Sequence, residues 1–205
     1  MGEFSLATFD FYADLEEDNS KAFWTARKGE YDSLVMQPMR DLLDGLAEEF
    51  GEAKVFRPHR DVRFSADKSP YKTHQGAYVA VGPALGWYVQ VSADGLMTGG
   101  GFYAADPPHL KAFREQVTRD GSTLAELIGA LPKGWQRGGE QVRTAPRGYP
   151  RDHPQIELLR HKALHVSRHY DRTLTGLRGD VLATVREDWR VVTPVVDWLD
   201  GALQA

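Results

Sequence analysis

The residues with the clearest chemical purpose lie at 57–72, Arg-Pro-His-Arg-Asp-Val-Arg-Phe-Ser-Ala-Asp-Lys-Ser-Pro-Tyr-Lys. Five Arg/Lys side chains and one of the seven histidines stand there against two acids, Asp61 and Asp67. Guanidinium groups offer forked donors that suit phosphate or carboxylate, and ammonium groups add point charge. Arg57, Arg60, Arg63, Lys68 and Lys72 are therefore candidate anion contacts. His59 or His74 has the chemistry of a general acid or base. Ser65, Ser69 and Tyr71 could act as nucleophiles or hydrogen-bond donors. Tyr88 and Gln90, on one face of a nearby strand pattern, complete the first set.

A second polar segment at 143–153 carries Arg143, Arg147, Tyr149, Arg151 and His153. Long ordered loops often bear function. Folded over 57–72, this loop would close a cleft in which Arg147 and His153 face the first cluster. No complete catalytic triad is visible, so no catalytic residue or reaction is assigned.

Charge supports a local anionic ligand. Residues 54–74 and 134–172 are each net +4, leaving −12 for the remainder of a chain whose formal net charge is −4. An acidic body disfavours a nucleic-acid coat, although Tyr71 or Tyr88 could serve as stacking platforms in a nucleic-acid module. The competing reading makes 57–72 an internal ion-pair network that ties sheet to acidic helices in a non-catalytic interaction or structural domain. Arg60 shares parity with Val62 and Phe64, so under that reading it is buried and needs a carboxylate partner.

The block Arg60-Asp-Val-Arg-Phe-Ser-Ala-Asp-Lys-Ser-Pro-Tyr-Lys72 resembles the signature RDxRFSxDKxPYK of a widespread bacterial family of unknown function. The resemblance continues through Asn19 to Trp24, Tyr31, Gly99 to Tyr103, Pro146 to Tyr149, Asp152 to Pro154, and Pro194 with Trp198-Leu199. It implies an uncharacterised protein and carries over no reaction, cofactor or partner.

Two other constellations are weaker. Gly99-Gly100-Gly101 precedes a helix, but no Gly-Lys-Ser/Thr follows, so a strand closely approached by another chain segment or a ligand is expected. His161, His165 and His169 are spaced for a helical metal site, yet Leu164 and Val166 alternate as in a strand. On a strand the outer two stand ~26 Å apart at ~3.3 Å per residue, so solvent-facing histidines are expected and no metal. With no cysteine, disulfides and thiolate sites are excluded.

The elements that must position these residues follow from periodicity. Apolar rows predict helices at 5–18, from 20 through 35, and at 39–50, with Pro38 breaking or kinking the second. Period-two stretches predict strands at 60–65, 75–81, 87–92 and 96–103, with turns too short for parallel crossovers. Asp106 and Pro107 open a helix, and a short one follows near 124–131, capped by Thr123. A loop at 132–154 holds a strand near 141–144, and a further strand runs through 163–169. A helix begins near Leu174, and Thr193-Pro194 opens the last. This is α+β: an antiparallel meander of four to five strands across 55–103, with a further strand at 163–169, packed against N- and C-terminal helices as a single domain, 1–205. The first residues lack the pattern of a signal peptide and no apolar run reaches membrane length, so a cytoplasmic location is expected. No oligomeric state follows.

Overall fold

The computed structural model describes residues 4–61, 63, 67–82, 84–175 and 180–204, excepting the side chains of 174 and 175. The fold is α+β, as periodicity predicts, with helices flanking a six-stranded antiparallel sheet. In chain order the elements are α1 (Leu6–Glu17), α2 (Lys21–Tyr31), a π-helical turn (Asp32–Met36), α3 (Gln37–Phe50), β1 (Ala53–Val55), β2 (His74–Gly82), β3 (Leu85–Ser92) and β4 (Gly95–Phe102). Then come α4 (Pro107–Gly129), β5 (Trp135–Gly138), α5 (Ile156–Leu159), β6 (Leu164–Asp171), α6 (Arg172–Thr175) and α7 (Val181–Gln204). The sheet order is β1-β2-β3-β4-β6-β5. By contact density the chain divides into two compact units: residues 1–79, 88–97 and 169–186, and residues 80–87, 98–168 and 187–205.

In the first unit, α1 starts at Ser5 with a capping box closed by Thr8. Ser20 caps α2 by accepting from the Phe23 N–H. The aromatic stripes of both helices meet: Phe11 lies edge-on to Trp24, and Trp24 packs on Tyr31 at 4.7 Å between ring centroids. Pro38 does not end the run. The five-residue π turn that precedes it widens the backbone where the proline ring would meet the previous turn's carbonyl, and α3 continues. Arg172 pairs with Asp10, and Arg186 with Glu49 at 3.8 Å.

The second unit centres on Phe102, Phe113, Leu164, Val166, Val196 and Leu199. Asp106 caps α4 as expected, accepting from the His109 N–H. The short helix expected near 124 is the continuation of α4 across a kink at Asp120 (φ −145°, ψ 27°). Thr123 does not open a separate helix there; its hydroxyl donates to the carboxylate of Asp120, the residue that leaves helical geometry. The triple glycine behaves as close approach demands. A Cβ on Gly99 or Gly101 would overlap the carbonyl of Val166 or Leu164, and one on Gly100 would strike Val196 of α7.

Several local expectations are corrected. The strand placed at 60–65 is not formed at its described members, because Asp61 turns its carboxylate onto the Arg63 backbone and side chain and so competes with a ladder. Residues 62, 64 and 65 lie outside the described set. The loop strand sits at Trp135–Gly138, paired to Arg168–His165, and Gln141 makes only an isolated bridge to His161. His161 is not solvent-facing. It is wholly buried, with Nδ1 at 2.8 Å from the Ala163 carbonyl and Nε2 at 2.8 Å from the Gln141 amide. Of the helix expected from Leu174, α6 (Arg172–Thr175) and α7 (Val181–Gln204) are described, residues 176–179 lying outside the described set; α7 runs through Pro194, which does not open a separate helix. Thr193 bonds back to the Trp189 carbonyl at 2.7 Å, a local substitute for a turn the proline weakens.

Candidate functional site

The candidate site grows out of the edge of β2, within the first unit. β1 pairs with β2 in the register Ala53↔Val79, Lys54↔Tyr78 and Val55↔Ala77, and Phe56 extends it by donating to Gly76 at 3.0 Å. Beyond that point the register changes. Lys72 donates to Pro58 at 2.8 Å, Arg60 donates to Pro70 at 2.9 Å, and His59 bridges Tyr71. Arg57 alone therefore stands opposite Thr73, His74 and Gln75. This is a bulge, which bends a strand and re-aims its side chains. Pro58 and Pro70 use only their carbonyls in this pairing, so each removes the reciprocal hydrogen bond and holds the contact to a single bridge.

Gln75 fills the gap that the bulge leaves. Its buried side chain donates to the carbonyls of Phe56 (2.8 Å) and Gly76 (2.9 Å), and accepts from the Tyr31 hydroxyl at 2.6 Å. A backbone carbonyl that lost its ladder partner is satisfied by a side chain instead. Burial raises the Tyr31 phenol well above its ordinary pKa, with Asp32 adding to the shift. It stays a neutral donor.

Because Tyr71 sits at a bridge, its own N–H and C=O face away from the Pro58–Arg60 strand. Asn19, at the corner between α1 and α2, takes both: Oδ1 accepts from the Tyr71 N–H and Nδ2 donates to its carbonyl, each at 3.0 Å. The Tyr71 ring is buried and stacks on Trp24 at 4.2 Å and 10°, and His59 closes over both rings. This clamp pins one end of the basic stretch to the helices.

The acids of the stretch are consumed locally. Asp67 accepts from the Ser69 N–H (2.9 Å) and hydroxyl (2.6 Å), the expected turn, and pairs with Arg60 Nη1 at 2.5 Å. Those Ser69 bonds, then Arg60, hold its carboxyl below the usual range. Asp61 receives the Arg63 guanidinium in a fork, 2.9 and 2.6 Å, and is lowered by that bond. Neither arginine reaches an acidic helix in these pairs. Arg60 Nε is buried without a hydrogen-bond partner among the described residues.

The remaining cations draw together. Lys72 Nζ lies over the Phe56 ring, 5.2 Å from its centroid. Burial, then the charges of Arg57 and Arg60, lower its pKa. His74 is lowered by burial, then by Lys72 and Arg60, so the imidazole is held neutral. Phe56 in turn stacks on Tyr78 at 5.5 Å and tilts against Tyr88 at 6.3 Å. Tyr88 spans the space above Gly76, where a Cβ would collide with its phenol, and donates to Gln90 Oε1 at 2.8 Å. Burial pushes its phenol up to about 12.

Of the residues singled out from sequence, Arg57, Arg60 and Lys72 come together, His59 and Tyr71 join them through the bridge, and Tyr88, which donates to Gln90, tilts against Phe56. Arg63 and Lys68 are exposed on the following turn. Arg147 and His153 lie in the second unit, Arg147 exposed and His153 Nδ1 accepting from the Gln155 N–H at 3.0 Å. Sequence reasoning missed Phe56 and Gln75, which look like an ordinary loop aromatic and a strand start. Asn19 entered through the family resemblance, and not as a partner of Tyr71. Among the described residues no group of three or more His, Asp or Glu side chains is arranged to hold a metal, and no helix is long and apolar enough to cross a membrane.

The profile of a conserved hypothetical protein family, DUF2461, matches residues 7–198, and the chain belongs to that family. No curated protein matches the chain.

Proposed function

We propose that the protein binds a small anion, phosphate- or carboxylate-bearing, at Arg57, Arg60 and Lys72 beside His74. One observation carries this reading. Lys72 and His74 are half-buried against other cations, with no carboxylate in any described ion pair of Lys72. Gathering like charges and stripping their water costs free energy that an arriving anion returns. Arg60 adds a buried donor nitrogen that Asp67 does not reach. A thermal-shift series with inorganic phosphate, sulfate and simple mono- and dicarboxylates tests it, since a ligand of the folded state raises Tm by mass action. Stabilisation that disappears in Arg57→Ala supports the reading. Equal stabilisation of both proteins refers the effect to salt.

A second reading is favoured by a different observation. The Asn19 clamp and the Trp24–Tyr71 stack fasten 57–72 to α1 and α2, so the motif can serve folding alone. Under it, Arg57→Ala leaves every ligand response unchanged, while Asn19→Ala lowers Tm.

A further inference from the structure

We infer that the anion taken by this site is the phosphate of a 5′-mononucleotide, whose base lies on an aromatic face of the sheet beside the cations. The inference rests on the anion reading and deepens it by naming the class of ligand.

Alternation along the strands of the first unit separates two faces. Gln75, Ala77 and Val79 of β2 are buried on one, with Val89 and Val91 of β3. The other carries Lys54, Phe56, His74, Gly76, Tyr78, Tyr88 and Gln90, and all of these except Gly76 keep part of their surface in water. An antiparallel sheet that faces water on one side ordinarily puts polar side chains there. Here three aromatic rings meet on it. Phe56 stacks on Tyr78 with centroids 5.5 Å apart and planes 21° apart, and it tilts against Tyr88 at 6.3 Å. Register brings them together: Lys54 stands opposite Tyr78, Phe56 donates to Gly76, and Gly76 leaves room for the Tyr88 phenol.

Cations flank the rings. Lys54 is exposed beside Tyr78, and the Lys72 ammonium lies 5.2 Å from the Phe56 centroid with Arg57 as a charged neighbour. Among the described residues of the first unit, the β1, β2 and β3 positions on this face include no carboxylate, Glu52 standing before β1. A cross-strand aromatic pair can serve the sheet alone. Rings that keep contact with water between cations also match a ligand that joins a planar ring to a phosphate. The rings stack on the π face of a base, and Lys72 and Arg57 take the phosphate oxygens. Spacings of 5.2 Å from Lys72 to Phe56 and 5.5 Å from Phe56 to Tyr78 set the cation and the outer ring within reach of one ribose phosphate. The acidic balance of the chain, net −4, favours a single nucleotide over a polymer.

Isothermal titration of AMP, ribose 5-phosphate, inorganic phosphate and adenosine into the unaltered chain and into Tyr78→Val tests the inference. Stacking of the base should make AMP bind about ten-fold tighter than ribose 5-phosphate or inorganic phosphate. Tyr78→Val should bring AMP down to the affinity of ribose 5-phosphate and leave phosphate affinity unchanged, a ratio that a merely structural tyrosine does not move. Should that variant fail to fold, NMR of the unaltered chain reads the same contact, as an upfield ring-current shift of the adenine protons of AMP. AMP that binds no tighter than ribose 5-phosphate while phosphate still binds, or keeps its advantage in Tyr78→Val, overturns the inference and leaves the anion reading standing. Adenosine that binds as well as AMP, with no binding of phosphate, overturns the anion reading and this inference with it. An adenine oligonucleotide that displaces AMP at far lower concentration overturns the mononucleotide class.

Discussion

Replacing Asn19 by Ala removes one side chain and disconnects the basic stretch from the helices. The carboxamide supplies two hydrogen bonds, one to the Tyr71 N–H and one to its carbonyl, each 3.0 Å long and partly buried. A neutral hydrogen bond contributes about 1 kcal/mol net, and leaving a buried partner unmet costs about 1–3 kcal/mol. Partial burial lets water recover some of that loss, so about 2–3 kcal/mol is expected for the pair. In a chain of 205 residues this lowers Tm by about 4–12 °C. Urea unfolding should show a lower midpoint with an unchanged m-value, because the clamp adds little buried surface. Asn19→Asp keeps the acceptor but turns a carboxylate toward the Tyr71 carbonyl, and should be at least as damaging. A loss below about 0.5 kcal/mol, the range of an ordinary surface substitution, would refute the clamp.

Gln75→Leu keeps the volume but leaves the Phe56 carbonyl and the buried Tyr31 hydroxyl without their partner, so a loss of about 2–4 kcal/mol is expected in chemical denaturation. Gly76→Ala drives a methyl into the Tyr88 phenol and should cost about 1–3 kcal/mol, a penalty that shrinks in a Tyr88→Ala background. Stability should also fall as pH drops below the ordinary histidine range. His74, His161 and His165 all have lowered pKa values, chiefly through burial, so the unfolded chain binds more protons and is favoured as they titrate. Tm measured between pH 7.5 and 5.5 should decline, and the decline should be shallower in His161→Gln. A flat profile would contradict the neutral state of these buried and half-buried rings.

Local physics made much of the architecture legible. Leu42, Leu43 and Leu46 announce α3, and the alternation of Val89 and Val91 with Tyr88 and Gln90 announces β3. The absence of a Lys-Ser/Thr after Gly99 to Gly101 correctly pointed to close packing instead of a phosphate loop. The failures share a cause, which is that a local rule was overridden by its surroundings. Pro38 is absorbed by a π turn and Pro194 by a long helix. At the described members of 60–65, period-two alternation lost to the Asp61–Arg63 fork. At the candidate site, residue types were readable but partnerships were not. Asn19 meets Tyr71 across 52 positions, and the bulge opposite Arg57 exists only once β1 and β2 have chosen a register. Such pairing is decided by the sheet as a whole.

The central claim, an anion held by Arg57, Arg60 and Lys72, is tested most directly by isothermal titration of inorganic phosphate into the protein and into Arg57→Ala. Saturable 1:1 binding is expected in the first and at least ten-fold weaker binding in the second, with the unfolding curves of the two proteins matching. Phosphate that fails to bind the unaltered chain, or binds Arg57→Ala equally well, would contradict it.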